Sequence, residues 1–144
     1  MIGKHAIEAL CRRLAEAHAT KDADAIVGCY APDAVVFNLA PPLGKRGLDR
    51  DEVAAWLTTW DGPIAIDTTD VELYVSGEVV SGEVGFSTAM TRMRGRQGGE
   101  ARDIWFRSTL CFRQTADGWR IVHEHTSVPF YMDGSYRAAI DLTP

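Results

Sequence analysis

The sequence lacks the features that typify secreted, membrane-spanning and nucleic-acid-binding proteins. Its three cysteines, Cys11, Cys29 and Cys111, are odd in number, far apart and without a CxxC pair, so we expect buried, reduced thiols in a cytoplasmic protein. The N-terminal stretch MIGKHAIEALCRRL contains a glutamate and two arginines, which excludes a signal peptide or a membrane span there. The net charge is −5 and no Lys/Arg cluster occurs, which disfavours a nucleic-acid partner.

The composition present is that of one ordinary globular domain. Hydrophobic residues make up 46% of the 144 positions and charged residues 24%, enough apolar side chains for a real core. Internal repeats, low-complexity segments and an interdomain linker are all missing from the sequence. We therefore expect a single domain over residues 1–144.

The first part of the chain has helical periodicity. Residues 3–20 repeat apolar positions with i, i+3, i+4, i+7 spacing, and His18 lies on that apolar stripe. Asp22 is a suitable N-cap for a short second helix ending near Tyr30. Asp49 and Glu52 resemble a capping box in front of a third helix at about 50–60. One face of that helix carries Val53, Trp56, Leu57 and Trp60.

The rest of the chain has strand patterns. A strand is predicted at 34–39, and four more follow at 64–75, 78–93, 102–114 and 118–128. The turns between the last four lie at Ser76–Gly77, Gly95–Gly99 and Thr115–Gly118. These strands are longer than the common length of about 5–6 residues, so the sheet should curve strongly, with Gly82 and Gly85 placed to permit a bend. Three helices and a curved antiparallel sheet predict an α+β fold that encloses a pocket.

Two stretches carry a family resemblance that covers nearly the whole chain. KDADAIVGCYAPDAVVFN, residues 21–38, resembles the helix-to-strand segment of the nuclear transport factor 2-like (NTF2-like) superfamily. DGWRIVHEHTSVPF, residues 117–130, resembles the closing strand of its SnoaL-like and ketosteroid-isomerase-like branch. The resemblance implies a cone-shaped domain with three N-terminal helices packed on a strongly curved, mostly antiparallel sheet, and a homodimer through the exposed sheet face. The superfamily contains isomerases, dehydratases, cyclases and dimerisation modules, so it specifies the fold rather than the activity.

The same resemblance implies that the steroid isomerase machinery is missing. Those enzymes use an Asp base, a Tyr from the first helix and a protonated Asp from a later strand. The matching positions here are Asn38, Leu14 and either Thr109 or Leu110. An amide is not a base at neutral pH, so steroid isomerisation by that mechanism is not expected.

The stretch WRIVHEHTSVPF, residues 119–130, contains the residues that most resemble a site. Because side chains alternate along a strand, His123, His125 and Ser127 should share the face of Ile121 and point into the pocket. His125 is then the candidate acid or base, since histidine titrates near neutral pH. The alternative is that both histidines are hydrogen-bonded structural groups.

Neither a metal nor another cofactor is expected. An HxH metal site needs a third ligand, and the nearest candidates, His18 and Asp103, have no assured proximity to His123 and His125. A serine triad is also excluded, because Ser127 and His125 lie ~6.5 Å apart along one strand.

The aromatic residues suggest the kind of ligand. Phe37, Trp56, Trp60 and Trp105 are candidates to line a pocket for a small apolar or aromatic metabolite, with ordinary core packing as the alternative. The first hypothesis is an isomerase-, cyclase- or dehydratase-type protein that transfers protons through His125, with Asn38 as an orienting or oxyanion-type donor. The second is a non-catalytic ligand-binding or dimerisation module whose histidines are structural.

Overall fold

The fold class is the predicted one, with helices on one side of a curved sheet. The computed structural model describes residues 2–76 and 83–144, and within them the chain forms three helices and one six-stranded sheet. The helices are α1 (Ile2–Ala19), α2 (Ala23–Gly28) and α3 (Arg50–Thr58). The strands are β1 (Tyr30–Phe37), β2 (Lys45–Arg46), β3 (Ala65–Val75), β4 (Val84–Gln97), β5 (Glu100–Thr115) and β6 (Gly118–Ser127). Their order is β2-β1-β6-β5-β4-β3, and only the β1–β6 pairing among these strands is parallel.

Local capping explains where the second and third helices begin. Asp22 accepts a hydrogen bond from the Ala25 amide at 3.0 Å, and Asp49 accepts from the amides of Asp51 and Glu52 at 2.8 and 3.1 Å. The Glu52 side chain accepts a hydrogen bond from Lys45 instead, so only the Asp49 half of the capping box is formed.

The boundaries differ from the predicted ones at several points. Helix α3 ends at Thr58, so Trp60 lies beyond it and forms an isolated bridge to Gln97. Strand β1 begins four residues earlier than predicted, at Tyr30, and the short strand β2 falls in a segment predicted as loop. The turn between β4 and β5 contains only Gly98 and Gly99, with φ of 61° and 80°, which allows a two-residue hairpin.

The predicted bend in β4 is supported at Gly85. A Cβ there would lie 2.8 Å from the Tyr74 carbonyl oxygen and 3.1 Å from the Ile7 side chain, so this position permits the close approach of β3 and α1. Gly77, Gly82 and the start of the predicted strand at 78 lie outside the described residues.

Two groups of buried side chains form the core and leave room between them. The first joins α1 to β1, β5 and β6 through Ile7, Leu10, Tyr30, Phe112 and Ile121. The second joins the ends of α1 and α2 to the end of α3 and the start of β3, through Ala17, Ile26, Leu57, Trp60 and Ile64. Leu14 packs against both groups, and the space beside it opens into a cavity.

A β-bulge in β6 decides which residues face that cavity. Phe112 pairs with Ile121, but the preceding residue Cys111 pairs with His123, so Val122 is an extra residue in β6. Ile121 is fully buried under the helices. The inward positions after the bulge are Glu124 and Thr126, both of which line the cavity. The alternation predicted from Ile121 is therefore shifted by one residue.

Candidate functional site

The candidate site is a cavity of about 1020 Å³ between the helices and the concave face of the sheet. Its lining includes the apolar side chains Leu14, Ile26, Trp56, Met93, Phe106 and Leu110. Helix α1 runs along one side, because Lys4, Cys11 and His18, spread over most of its length, all line the cavity. Polar and charged side chains also contribute to the lining, and a cavity of this size with a largely apolar surface is typical of a small-molecule site.

The charged side chains in the cavity wall include a deeply buried carboxyl group, that of Glu124. The buried Tyr30 hydroxyl donates a hydrogen bond to Glu124 Oε1 at 3.0 Å. Burial raises the pKa of Glu124, and the bond from Tyr30 together with the charges of His123 and Lys45 offsets part of that rise. Burial, with Glu124 beside it, also keeps the pKa of Tyr30 well above its usual value, so the phenol stays protonated.

A second polar group, His18, lies in the last turn of α1. Its Nδ1 donates a hydrogen bond to the Leu14 carbonyl oxygen at 2.8 Å, and its ring meets Trp56 edge-on at 6.0 Å between centroids. Burial lowers the pKa of His18, so the ring is neutral at pH 7.

Hydroxyl groups continue the polar surface across the sheet. The hydroxyls of Thr91 and Ser108 are 2.7 Å apart, and Ser108 pairs in register with Thr126 on β6. All three side chains line the cavity. Together with Glu124 they form a polar row on β4, β5 and β6 that faces the helices.

The prediction that His123, His125 and Ser127 face the cavity is wrong. The bulge at Val122 turns these three side chains to the outer face of the sheet. His123 Nδ1 donates to the Val35 carbonyl oxygen at 2.7 Å, and Ser127 Oγ accepts from Arg107 Nε at 3.2 Å. His125 is exposed.

The aromatic candidates divide between the cavity, the core and the outer face. Trp56 lines the cavity as predicted. The prediction fails for the other three aromatic residues. Trp60 is buried at 3% exposure in the core, Phe37 packs edge-on against His123 and His125 at 5.1 and 5.4 Å, and Trp105 stacks under Arg92 on the outer face. On β5 the cavity-facing neighbour of Trp105 is Phe106.

The positions that match the steroid isomerase machinery do lie at the cavity. Asn38, Leu14 and Leu110 all line it, whereas Thr109 is on the opposite face, paired with His125. A carboxyl group is nevertheless close by on the neighbouring strand. Val36 pairs with Glu124 in the parallel β1–β6 ladder, so Asn38 and Glu124 lie at adjacent strand positions on the same face.

Sequence reasoning missed Glu124 and Tyr30 as a pair. They are 94 residues apart, and the alternation of β6 predicted that Glu124 would face outward. The one available signal was an acidic residue inside an otherwise apolar and histidine-containing strand. The helical spacing correctly predicted that His18 lies on the buried stripe of α1, but it did not predict that His18 lines the cavity.

The described parts of the chain contain neither a potential metal-ligand set nor a membrane-spanning helix. In residues 2–76 and 83–144, no three His, Cys, Asp or Glu side chains converge as a potential metal-ligand set. Over the same residues, no helix combines the length and the apolar character needed to cross a bilayer.

Similar proteins share this architecture. An NTF2-like protein of unknown function from Pseudomonas putida KT2440 superposes with a TM-score of 0.81 at 24% identity, covering 96% of this chain and 94% of the other. A proposed dehydratase of the NTF2-like family from Streptomyces avermitilis gives 0.71 at 17% identity, covering 88% and 95%. A proposed ketosteroid isomerase from Shewanella frigidimarina gives 0.62 at 19% identity, covering 85% and 94%. These identities show the shared fold alone.

The sequence comparison assigns the family. No curated protein matches the chain. The SnoaL-like domain family matches residues 7–131, which includes α2, α3 and all six strands and omits only the first turn of α1 and the C-terminal tail. The chain belongs to the SnoaL-like domain family, within the NTF2-like fold.

Proposed function

We propose that this protein binds an apolar or aromatic small molecule in the cavity and that Glu124 transfers a proton to or from it. The observation that carries the proposal is a carboxyl group with a raised pKa, held by a buried tyrosine, in the wall of a largely apolar cavity. A carboxyl group tuned toward neutral pH is suited to general acid–base catalysis.

The size and lining of the cavity support a ligand with fused rings. Small-molecule sites commonly have volumes of ~300–1,000 Å³, and this cavity is at the upper end of that range. Trp56 and Phe106 offer flat apolar surfaces. Bringing such a ligand in would displace water and strengthen every polar interaction at Glu124.

The polar groups have separable roles in this proposal. Ionised Glu124 removes a proton from a carbon next to a carbonyl group and, once protonated, returns it elsewhere on the ligand. Tyr30 keeps its own proton and orients the carboxylate through the 3.0 Å hydrogen bond. The amide of Asn38 donates to the oxygen on which negative charge develops. This chemistry is of the isomerase or dehydratase type.

The second hypothesis is a non-catalytic binding module with structural histidines. It is favoured by His123, whose Nδ1 bonds to the main chain of β1 and thereby ties β1 to β6. The two hypotheses share the ligand and differ in whether Glu124 moves a proton.

Hydrogen–deuterium exchange of 2-tetralone distinguishes them. This bicyclic ketone has acidic protons next to its carbonyl group, and their exchange in D₂O is followed by NMR with catalytic amounts of protein. We expect exchange above the buffer rate, falling by ~10²–10⁴-fold in Glu124→Gln. Glu16→Gln, an exposed change on α1, is the matched control and should retain the wild-type rate. Exchange at the buffer rate would favour the non-catalytic module. Catalysed exchange that survives Glu124→Gln would contradict the proposed role of Glu124.

We also propose that two copies of the chain associate through the outer face of the sheet. Large apolar side chains are exposed there, among them Tyr74 at 51% and Phe86 at 44%, which stack on each other with ring centroids 4.8 Å apart. Exposed aromatic residues on a broad sheet face are typical of an interface. A self-complementary contact would bury them in both copies.

A further inference from the structure

His18 is the cavity residue that the proposed proton transfer leaves without a role. Its Nδ1 donates to the carbonyl oxygen of Leu14 at 2.8 Å. A carbonyl oxygen only accepts hydrogen bonds, so the ring must carry its proton on Nδ1. This bond defines the tautomer and turns the other nitrogen, Nε2, into an acceptor.

The surroundings of the ring keep that nitrogen available. Burial lowers the pKa of His18, so the ring stays neutral at pH 7 and Nε2 keeps its lone pair. Among residues 2–76 and 83–144, no side chain or main-chain group forms a hydrogen bond with Nε2. Apolar side chains lie near the ring, with Trp56 edge-on to it and Val53, Ile66 and Met93 at the same end of the cavity. The cavity lining also includes the acidic residues Glu52 and Asp67.

An acceptor in apolar surroundings discriminates between ligands. A ligand that buries Nε2 without offering a donor pays the desolvation penalty of the nitrogen, whereas a ligand with a hydroxyl group replaces the lost water. Sites of this kind select strongly for the group that completes the hydrogen bond.

We infer that His18 Nε2 accepts a hydrogen bond from a hydroxyl group of the ligand, so that the ligand is a hydroxylated aromatic or fused-ring compound. The inference rests on the proposed function, because it places the ligand in the same cavity as Glu124. It adds the substrate class and a specificity-determining residue on α1.

The spacing along α1 indicates the length of that ligand. Cys11 packs in the same buried group as Tyr30, the partner of Glu124, and His18 follows seven residues later on α1. Seven residues correspond to about 10 Å along a helix axis. The hydroxyl group and the reacting carbon should therefore lie at opposite ends of a two- or three-ring skeleton.

The test compares 2-naphthol with 2-methoxynaphthalene, which has the same ring system but no O–H donor. Equilibrium dialysis measures both affinities for the wild type, His18→Leu and His18→Gln. In the wild type we expect 2-naphthol to bind about 3–10-fold more tightly than the ether, the contribution of one neutral hydrogen bond. The ratio should fall to about one in His18→Leu and be partly kept in His18→Gln, whose side-chain oxygen is also an acceptor.

A spectroscopic readout covers the case in which the variants fail to fold. In the wild-type protein, ¹⁵N NMR of the His18 ring should show an unprotonated Nε2 whose resonance shifts when 2-naphthol is added and does not shift with the ether. The inference would be overturned if His18→Leu kept the wild-type preference for 2-naphthol over the ether. It would also be overturned if the Nε2 resonance did not shift when 2-naphthol was added.

The outcomes also separate the inference from the proposed function. If both probes bind the wild type equally well, the cavity binds aromatic molecules but His18 does not select them, and only the inference fails. If neither probe binds, the proposed ligand class fails and the inference fails with it. A preference for 2-naphthol that disappears in Glu124→Gln but survives in His18→Leu would place the hydroxyl group at Glu124 and overturn the role of His18.

Discussion

At the scale of single residues, Glu124 makes stability depend on pH in a definite direction. Burial raises its pKa in the folded protein, so the folded state holds the proton more tightly than the unfolded chain. Its stabilising contribution is complete below the pKa of an ordinary carboxyl group and is lost as the pH rises through the folded-state pKa. Ionisation of Glu124 therefore lowers the free energy of unfolding.

Glu124→Gln should remove that dependence. We expect its melting temperature to exceed that of the wild type at pH 8, with a difference that shrinks as the pH falls toward 4. Thermal melts by circular dichroism over this pH range measure it, and Glu16→Gln controls for loss of a surface charge. A difference that grows as the pH falls would contradict the raised pKa.

Tyr30→Phe tests the other half of the pair. The variant leaves Glu124 without its 3.0 Å hydrogen bond, and we expect the free energy of unfolding to fall by about 1–2 kcal/mol. Because that bond lowers the pKa of Glu124, its removal should raise the pKa further, measured by ¹³C NMR of the carboxyl group. Tyr131→Phe is the matched control, because the Tyr131 hydroxyl donates to Asp141 in the C-terminal segment, outside the cavity lining. Equal losses in the two variants would argue against a special role for the buried pair.

At the scale of elements, the bulge in β6 controls the chemistry of the cavity. The bulge places both Val122 and His123 opposite Cys111, so that His123 and His125 point outward and Glu124 points inward. If the same sequence paired in a regular ladder from Ile121, the two histidines would face the helices and Glu124 would lie on the outer face. The bulge therefore places the carboxyl group, rather than the imidazoles, in the cavity wall.

Deletion of Val122 should therefore leave Glu124 facing the cavity. Ile121 and His123 would become consecutive and would pair with Phe112 and Cys111 in a regular ladder. We expect the pKa of Glu124 to stay raised, measured by ¹³C NMR of its carboxyl group, and the free energy of unfolding to fall by about 0.5–3 kcal/mol as the local bend of β6 is lost. Val122→Ala keeps the residue count and should cost no more than about 1–1.5 kcal/mol. Urea denaturation compares the two variants. A Glu124 carboxyl group with an ordinary pKa in the deletion variant would contradict this register.

At the scale of the whole molecule, the outer sheet face and the cavity are separate surfaces. The cavity lies between helices and sheet, whereas Phe86, Tyr74 and Phe37 lie on the other side of the sheet. Stable interfaces commonly bury about 800 Å² on each copy. The six strands form one continuous sheet, whose outer face is the proposed contact surface. Association through that face would leave the cavity lining of each copy intact.

Phe86→Glu should disrupt the proposed dimer. Two glutamates brought into an apolar interface would lose hydration without a partner, so we expect the mass from light scattering to fall from that of two chains to that of one. Leu43→Glu is the control, because Leu43 is fully exposed in the segment between β1 and β2, away from the sheet face. A wild-type protein that is monomeric at micromolar concentration would contradict the proposal.

Features that depend on a few neighbouring residues could be predicted from the sequence. The stripe of α1, including His18, follows from helical spacing, and the N-caps Asp22 and Asp49 follow from side chains two or three residues from their partners. The long β4–β5 hairpin follows from its glycine turn. These features, with the two family-like stretches, were sufficient for the α+β fold class and for the cavity positions of Asn38 and Trp56.

The candidate site depended on pairings that only the tertiary structure defines. Whether Glu124 or His125 faces the cavity depends on how β6 pairs with β5 and β1, and the register shift at Val122 has no local signature in the sequence. Tyr30 reaches Glu124 because β1 lies beside the last strand in space. The sequence by itself determined the elements, through local spacing and capping. The tertiary structure decided which face of β6 lines the cavity. A bulge reverses the facing of the side chains that follow it, relative to the simple alternation counted along the sequence.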